Sequence, residues 1–210
     1  MTDWLQRSEL LVKKEGLETL KNAKVLVVGL GGVGSFAAEF LARAGVGNLT
    51  IVDGDTVDIT NVNRQLPALH STVGKNKVEV VAERILDINP EVQLVPINEF
   101  LSPERMDEML ENNKFDYVLD CIDSVSPKLA LIKACRRRKI KIVSSMGAGG
   151  KMDPSKVMVR DLSKTNNCYL AKQIRKRLKK EGITKGFRCV FSIEIQNEDS
   201  LKLTDGSNFK

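Results

Sequence analysis

The chain has 210 residues, of which 42% are hydrophobic and 29% charged, the balance of a soluble globular protein. No apolar run reaches the ~20 residues that span a membrane, and the N-terminus lacks the basic-then-apolar pattern of a signal peptide, so we expect a cytoplasmic protein without a membrane partner. The net charge of +6 is compatible with a polyanionic partner such as RNA but does not require one.

The first predicted elements form an N-terminal arm and a strand–turn–helix unit. Residues 1–22 read as an amphipathic arm, helical over Ser8–Lys21, in which four leucines can share one face: Leu10, Leu11, Leu17 and Leu20. A continuous apolar strand, Lys24–Gly29, then enters a glycine turn and the helix Ser35–Ala44.

Strands and helices continue to alternate up to about residue 150. The predicted elements are the strand Leu49–Asp53, the helix Lys75–Ile88, the strand Val92–Ile97, the helix Pro103–Glu111, the strand Tyr117–Cys121, the helix Pro127–Arg138 and the strand Ile140–Ser144. This alternation predicts an α/β, Rossmann-like, doubly wound and mostly parallel sheet. We therefore expect one domain over 1–210, with a nucleotide-binding core at 23–150.

The pattern changes in a small C-terminal extension at 151–210. An alternating strand at Lys156–Asp161 suits a sheet edge or an antiparallel addition, and a last strand is predicted at Phe187–Ser192. Between them, Cys168–Lys180 is a strongly basic helix. The polar stretch from Glu194 to Lys210 has no closing element, so we expect the extension to be incomplete.

The glycine turn is the first feature that carries chemistry. Gly29 permits a tight turn, Gly31 and Gly32 let a phosphate approach the backbone, and Gly34 lets the helix pack closely on the strand. Such a turn places a phosphate at the positive end of a helix. The pattern indicates a nucleotide site but does not identify the nucleotide.

Charged residues after the second and fourth strands indicate which nucleotide the site binds. Asp53 ends a strand at a place where a carboxylate can accept hydrogen bonds from ribose hydroxyls. Asp55 suits either a surface turn or the nucleotide site. Arg64 and Lys77 can neutralise triphosphate charge, and Asp123 can hold Mg²⁺ together with phosphate oxygens. Two cations and a carboxylate around a glycine turn favour phosphate chemistry with ATP over hydride transfer.

The order of these motifs resembles the E1-like adenylating superfamily. The motifs that carry the resemblance are Gly29–Gly34, Asp53–Asp55, Asn61–Gln65, Gly74–Val78 and Asp120–Asp123. Further segments resemble its bacterial tRNA threonylcarbamoyladenosine dehydratase branch: Arg7–Leu11, Asp123–Lys128, Met146–Pro154, Asp161–Thr165 and Cys189–Ser192. The resemblance covers residues 4–192.

The resemblance implies a reaction and its site residues. ATP would adenylate the carboxylate of threonylcarbamoyladenosine at position 37 of a tRNA, and the neighbouring carbamoyl group would close the ring and expel AMP. The positions that match the ATP-site motifs are Gly31, Gly32, Asp53, Asn63, Arg64, Gln65, Lys77 and Asp123. Arg7 matches an arginine that the partner subunit contributes in related homodimers, although spacing alone favours an ordinary surface arginine. Sulfur-transfer proteins are candidate further partners.

Two other functions stay open. One is E1-like activation of a small sulfur-carrier protein, but the four cysteines, Cys121, Cys135, Cys168 and Cys189, lack the paired CxxC zinc ligands that are usual there. We interpret Cys189 as a buried structural thiol. The other is a nucleotide-sensing Rossmann module without chemistry, which would bind nucleotide without needing Lys77.

Basic residues in the C-terminal extension are candidate tRNA contacts. Attraction between basic side chains and RNA phosphates does not depend on the RNA sequence, so a cluster of positive charges is sufficient for it. A run of charged residues is, however, more commonly a solvent-exposed face without a partner. The candidate contacts on the basic helix are Lys172, Arg175, Lys176, Arg177, Lys179 and Lys180. The run 136–139 is a weaker candidate.

Overall fold

Seven strands and six α-helices alternate along residues 3–195, the part of the chain described by the computed structural model. The strands are β1 (Lys24–Val28), β2 (Asn48–Val52), β3 (Gln93–Ile97), β4 (Tyr117–Asp120), β5 (Lys141–Ser145), β6 (Val157–Asp161) and β7 (Arg188–Ser192). The helices are α1 (Gln6–Asn22), α2 (Gly34–Arg43), α3 (Lys77–Ile88), α4 (Pro103–Asn112), α5 (Val125–Arg137) and α6 (Tyr169–Lys179). Every predicted element is present, and no end differs from its prediction by more than two residues.

The strands form one sheet in the order β3-β2-β1-β4-β5-β7-β6. All neighbouring pairs are parallel except β6 and β7, which are antiparallel. The strand order reverses between β1 and β4, so a crevice opens at their carboxyl ends, where open α/β sheets bind ligands. The predicted doubly wound fold is confirmed.

Two apolar clusters cover the two faces of the sheet. On one face α2 and α3 pack through residues such as Ala38, Val78, Val81 and Ile85. On the other face α4, α5 and α6 pack through residues that include Met106, Ile132, Ile174 and Leu178. Because β1 lies between both layers, four of its five residues are buried, which explains why its sequence is continuously apolar.

The N-terminal arm differs from the prediction. α1 is interrupted at Lys13, whose φ of 62° and ψ of 175° are not helical, so the four leucines cannot share one face. Leu20 packs on the core, whereas Leu10 and Leu11 are exposed. Periodicity could not show this, because a single positive φ turns one half of the arm away from the other.

The C-terminal extension adds an antiparallel edge to the sheet. β7 pairs with β5, and β6 lies outside it, as the alternating pattern predicted. The predicted polar end of this extension falls mainly on residues 196–210, which lie outside the described residues. Within residues 3–195, no helix is long and apolar enough to span a bilayer.

Candidate functional site

A cleft of about 430 Å³ opens at the carboxyl ends of β1, β2 and β4. It lies at the point where the strand order reverses, and it brings together segments that are far apart in sequence. The predicted site residues that line it are Gly29, Gly31, Asp53, Asp55, Arg64, Gln65, Lys77 and Asp123. The cleft therefore brings together eight of the residues singled out by the sequence.

Two glycines allow the turn after β1 to close. Gly29 has a φ of +90°, and a Cβ there would lie 2.9 Å from the carbonyl oxygen of Cys121. A Cβ at Gly34 would lie 1.7 Å from the carbonyl oxygen of Gly29, so any side chain would separate α2 from the turn. Gly34 thus has the packing role predicted for it, and it is buried rather than exposed to the cleft.

The other two glycines form an open cradle. A Cβ at Gly31 would lie 3.7 Å from Nε2 of Gln65, and a Cβ at Gly32 would lie 3.3 Å from the carbonyl oxygen of Arg64. Within residues 3–195, the buried Oε1 atom of Gln65 has no hydrogen-bond partner, which is uncommon in a folded protein. A polar ligand in the cradle would satisfy it, so these residues fit a bound nucleotide.

Asp53 ties the glycine turn to the loop after β2. Its Oδ2 atom accepts a hydrogen bond from the backbone N–H of Leu30 at 2.6 Å, and Oδ1 accepts one from the backbone N–H of Asp55 at 2.8 Å. Because each carboxylate oxygen has a second lone pair, Asp53 can still accept hydrogen bonds from ribose hydroxyls. It shapes the cleft and also faces it.

Asp55 holds Lys77 at the cleft. Nζ of Lys77 lies 3.0 Å from Oδ2 of Asp55, and the backbone N–H of Lys77 donates to the Asp55 carbonyl oxygen. The Lys77 side chain is only 7% exposed, whereas that of Asp55 is 55% exposed. Of the two interpretations left open for Asp55, this geometry favours a role in the site. Lys77 presents a desolvated cation, the form in which a charge acts most strongly on phosphate.

Arg64 lines the cleft, but Asn63 does not. Nη1 of Arg64 donates to Oδ1 of Asn63 at 2.8 Å and to the carbonyl oxygen of Thr60 at 2.9 Å. In this structure the amide oxygen of Asn63 is directed to the guanidinium, and its contact with the nucleotide stays a prediction. Asn63 orients Arg64.

Asp123 lies at the rim of the cleft, in the loop between β4 and α5. It is exposed, and its Oδ1 accepts a hydrogen bond from Ser124 Oγ at 3.1 Å. Among residues 3–195, no group of three or more metal-binding side chains comes together. Asp123 alone suits Mg²⁺ only if phosphate oxygens and water complete the coordination, which is how Mg²⁺ commonly binds.

Two predicted site residues lie elsewhere. Arg7 is exposed at the start of α1 and does not line the cleft of its own chain. Arg175, predicted to contact nucleic acid, is half-buried and donates hydrogen bonds to the carbonyl and hydroxyl oxygens of Thr165. Arg175 therefore holds the loop before α6, because its position on the helix directs its side chain toward Thr165.

The remaining basic residues of α6 face solvent. The exposed residues are Lys172, Lys176, Arg177 and Lys179 on α6 and Lys180 directly after it, and the buried face consists of Ala171, Ile174 and Leu178. The run 136–139 is less available, because Arg137 and Arg138 pair with Asp107. The structure thus leaves the basic face of α6 exposed.

Cys189 is fully buried in β7, and burial raises the pKa of its thiol to about 12. The same cause raises the pKa of Cys121, which lines the cleft, to about 12. Neither thiol forms a reactive thiolate at neutral pH. Cys189 is therefore a buried structural residue, as predicted.

Sequence reasoning missed two features of the site. Phe100, in the loop after β3, lines the cleft and packs so closely on Gly54 that a Cβ there would lie 2.7 Å from its ring. Beneath the cleft, Lys128 and Asp120 form a fully buried ion pair. Lys128 stands three and four residues before the buried Leu131 and Ile132, so a lysine on an apolar stripe was the available signal.

The ThiF family model matches residues 5–197. The Bacillus subtilis tRNA threonylcarbamoyladenosine dehydratase is 50% identical over 92% of this chain and 76% of its own length. A Salmonella typhimurium molybdopterin-synthase adenylyltransferase is 40% identical over 74% of this chain and 60% of its own.

A solved structure shows the same likeness. The Escherichia coli tRNA N6-threonylcarbamoyladenosine dehydratase in complex with ATP superposes with a TM-score of 0.89 at 44% identity, covering 94% of this chain and 85% of that one. Together with the glycine turn and the charged cleft, these matches show that the chain belongs to the ThiF family.

Proposed function

We propose that this protein catalyses the ATP-dependent dehydration of N6-threonylcarbamoyladenosine at position 37 of tRNA to its cyclic form. One observation carries the proposal: likeness to a dehydratase extends over 92% of the chain, whereas likeness to a molybdopterin-synthase adenylyltransferase covers 74%. The dehydratase match thus reaches further beyond the nucleotide core, and the substrate of the dehydratases fits the chain better than a sulfur-carrier protein.

The chemistry follows from the leaving group. The threonyl carboxylate attacks the α-phosphorus of ATP and releases pyrophosphate. The neighbouring carbamoyl group then attacks the activated carbonyl and expels AMP, with net loss of one water. Because the nucleophile belongs to the same substrate, ring closure gains from proximity and needs no enzyme thiol. This agrees with the raised pKa of the Cys189 thiol.

The residues of the cleft have separate tasks in this reaction. Gly31 and Gly32 let the phosphates approach the N-terminus of α2, where the helix dipole is positive. Lys77 and Arg64 balance the charge that develops on pyrophosphate. Asp123 is the residue that would hold Mg²⁺, which supplies further charge neutralisation when it is bound.

We extend the proposal to a homodimer in which Arg7 serves the cleft of the second copy. The support is that Arg7 is exposed and lies outside its own cleft, while Leu10 and Leu11 nearby are 77% and 83% exposed. Coexpression of Arg7→Ala and Asp123→Ala chains tests this. Each homodimer should be inactive, and the mixed dimer should regain one competent site; no recovery would contradict sharing.

The exposed lysines of α6 are our proposed tRNA surface, and a tRNA substrate is consistent with a cytoplasmic protein. The helix carries several exposed cations and no acidic residue within Tyr169–Lys179. Phosphate contacts of this kind would position the tRNA, and the cleft would select the modified base.

Mass spectrometry of nucleosides tests the proposal. Protein, ATP and Mg²⁺ are incubated with tRNA that carries the linear base, and the workup avoids reopening the ring. We expect a mass loss of one water with the wild type and with Asp87→Ala, an exposed control on α3, but not with Asp123→Ala. If the wild type binds ATP and leaves the base unchanged, the proposal fails, and ATP–pyrophosphate exchange with a carrier protein ending in Gly-Gly becomes the next assay.

A further inference from the structure

A fully buried ion pair lies directly beneath the nucleotide cleft. Nζ of Lys128 lies 2.8 Å from Oδ2 of Asp120, 3.2 Å from Ser144 Oγ and 2.9 Å from the carbonyl oxygen of Ser145. Ser144 Oγ in turn donates to Oδ2 of Asp120 at 2.5 Å. Both charged side chains are 0% exposed, so the lysine, the carboxylate and two strand ends form one closed network.

Such a pair is an uncommon way to stabilise a core. Removing two charges from water costs several kcal/mol per ion, and well-packed apolar residues of similar volume are commonly as stable or more stable. The elements that carry Asp120 and Lys128 also contribute apolar residues to the core, among them Val118 of β4 and Leu131 of α5. Stability alone therefore does not account for this pair.

The position of the pair suggests its role. Residues 121–124 form the loop that connects β4 to α5, and all four line the cleft. At one end of this loop, Oδ1 of Asp120 accepts a hydrogen bond from the backbone N–H of Ile122 at 3.2 Å. At the other end, Lys128 belongs to the first turns of α5. The ion pair thus joins both ends of the loop.

The same loop is in contact with the glycine turn. The backbone N–H of Cys121 donates to the carbonyl oxygen of Val28, and the Cys121 carbonyl lies 2.9 Å from the place where a Cβ of Gly29 would be. A shift of the loop would move both the turn and Asp123. We propose that the Asp120–Lys128 pair is a positioning device that holds Asp123 and the glycine turn in the geometry that binds ATP.

This inference rests on the proposed ATP site, and a double variant tests it. Asp120→Asn with Lys128→Met removes both charges, keeps an amide oxygen to accept from Ile122, and leaves no buried charge unpaired. We expect a folded protein whose ATP affinity, measured by calorimetry, falls about tenfold, the equivalent of one charge-assisted hydrogen bond. Affinity for tRNA, measured by filter binding, should be unchanged.

A second pair provides the matched control. Glu39 accepts hydrogen bonds from Arg84 and joins α2 to α3 away from the residues that line the cleft. Glu39→Gln with Arg84→Met should keep wild-type ATP affinity. If the Asp120 and Lys128 double variant folds and binds ATP like the wild type, the pair is only a structural element and the proposal is overturned. The proposal is equally overturned if ATP affinity and tRNA affinity fall together.

Ser144→Ala provides the test if the double variant does not fold. It removes the hydroxyl that bonds both charged groups, so it loosens the ion pair without leaving a buried charge unpaired. Folding should be normal, while ATP affinity should fall by about threefold, half of the double variant's effect on a logarithmic scale. Ser192→Ala, at a buried serine that ends β7, is its control. Unchanged affinity in Ser144→Ala would overturn the proposal. Because ATP binding is the readout, this result stands even if the protein does not dehydrate tRNA.

Discussion

Lys77 and Asp55 are joined twice, by a 3.0 Å contact between Nζ and Oδ2 and by a hydrogen bond between the backbone N–H of Lys77 and the Asp55 carbonyl oxygen. The backbone contact fixes the start of α3 against the loop after β2. The side-chain contact holds a nearly buried cation at the cleft wall. A phosphate could therefore meet a cation that is already desolvated and oriented.

Lys77→Met should lower kcat/KM for ATP by roughly 100-fold to 1000-fold, the range seen when one oriented electrostatic group is lost. The thermal midpoint should change little, because the Asp55 carboxylate left behind is largely in water. Steady-state kinetics at fixed tRNA measure the effect. Lys75→Met, which changes an exposed lysine two residues earlier, is the control. Equal kinetics for both variants would contradict the assignment.

Alanine substitutions at Gly31 and Gly34 should have different effects, the first on ATP affinity and the second on stability. Gly31→Ala places its Cβ in ordinary contact with Gln65, so we expect an unchanged thermal midpoint but at least a tenfold loss of ATP affinity, because the methyl group occupies the cradle. Gly34→Ala should instead lower the stability by about 3 kcal/mol or more, because the Cβ overlaps the Gly29 carbonyl. Thermal unfolding with and without ATP distinguishes the two. A stable Gly34→Ala protein would refute the packing argument.

Local patterns were sufficient to predict the sheet and most of the cleft. β1 is apolar because it is covered on both sides, and the polar residues after β2 and β4 meet because carboxyl ends of parallel strands share one edge. Side-chain direction was harder to predict. Arg175 and Asn63 have the expected residue types, but α6 and the loop before Arg64 direct them to protein partners.

The break in α1 and the buried ion pair show the same limit of prediction from sequence periodicity. A positive φ at Lys13 has no signature in a sequence rich in leucine and lysine, so Leu10 and Leu11 were placed on the wrong face. Nothing in the sequence pairs Lys128 with Asp120, because the two residues belong to different elements. Contacts between elements, which periodicity does not encode, decide both cases.

Cys189→Ala should keep its dehydration activity within about twofold and lose about 1 kcal/mol of stability, a common cost for a small core change. Burial raises the pKa of this thiol to about 12, so it remains protonated and unreactive. Iodoacetamide should not label Cys189 in the native protein. Cys135→Ala, at another fully buried cysteine, is the matched control. A covalent substrate adduct at Cys189 would instead support a thioester route.

Asp161 should contribute stability that depends on pH. Burial alone would raise the pKa of Asp161, but hydrogen bonds from the backbone of Gly186 and from Ser163 outweigh it and lower the pKa below 3.8. A lowered pKa in the fold means that the stabilisation is present above pH 3.8 and is lost as pH falls through the lower, folded value.

Asp161→Asn should therefore lower the thermal midpoint at pH 7 by roughly 1–4 °C, as expected for about 0.5–1 kcal/mol in a chain of this size when solvent screens a partly exposed carboxylate. The difference from wild type should shrink as the pH falls from about 5 to about 3. Thermal unfolding across this range is the measurement, with Asp87→Asn as the exposed control. A difference that stays constant with pH would contradict the assignment to the carboxylate.

Lys176 and Lys179 should contribute to tRNA affinity through charge alone. Both are exposed on α6, whose buried residues include Ile174 and Leu178. If each contacts one phosphate, changing both to alanine should reduce the slope of log affinity against log salt by roughly 1.4 to 1.8. ATP affinity should stay unchanged, since neither lysine lines the cleft.

The matched control changes Lys114 and Lys141 to alanine. These exposed lysines lie just before β4 and at the first residue of β5, at the end of the sheet opposite the cleft. Filter binding at several salt concentrations compares the two double variants. If both reduce the salt slope equally, tRNA is attracted by net charge rather than by α6. If neither does, the RNA surface lies elsewhere, because a face without phosphate contacts cannot release counterions.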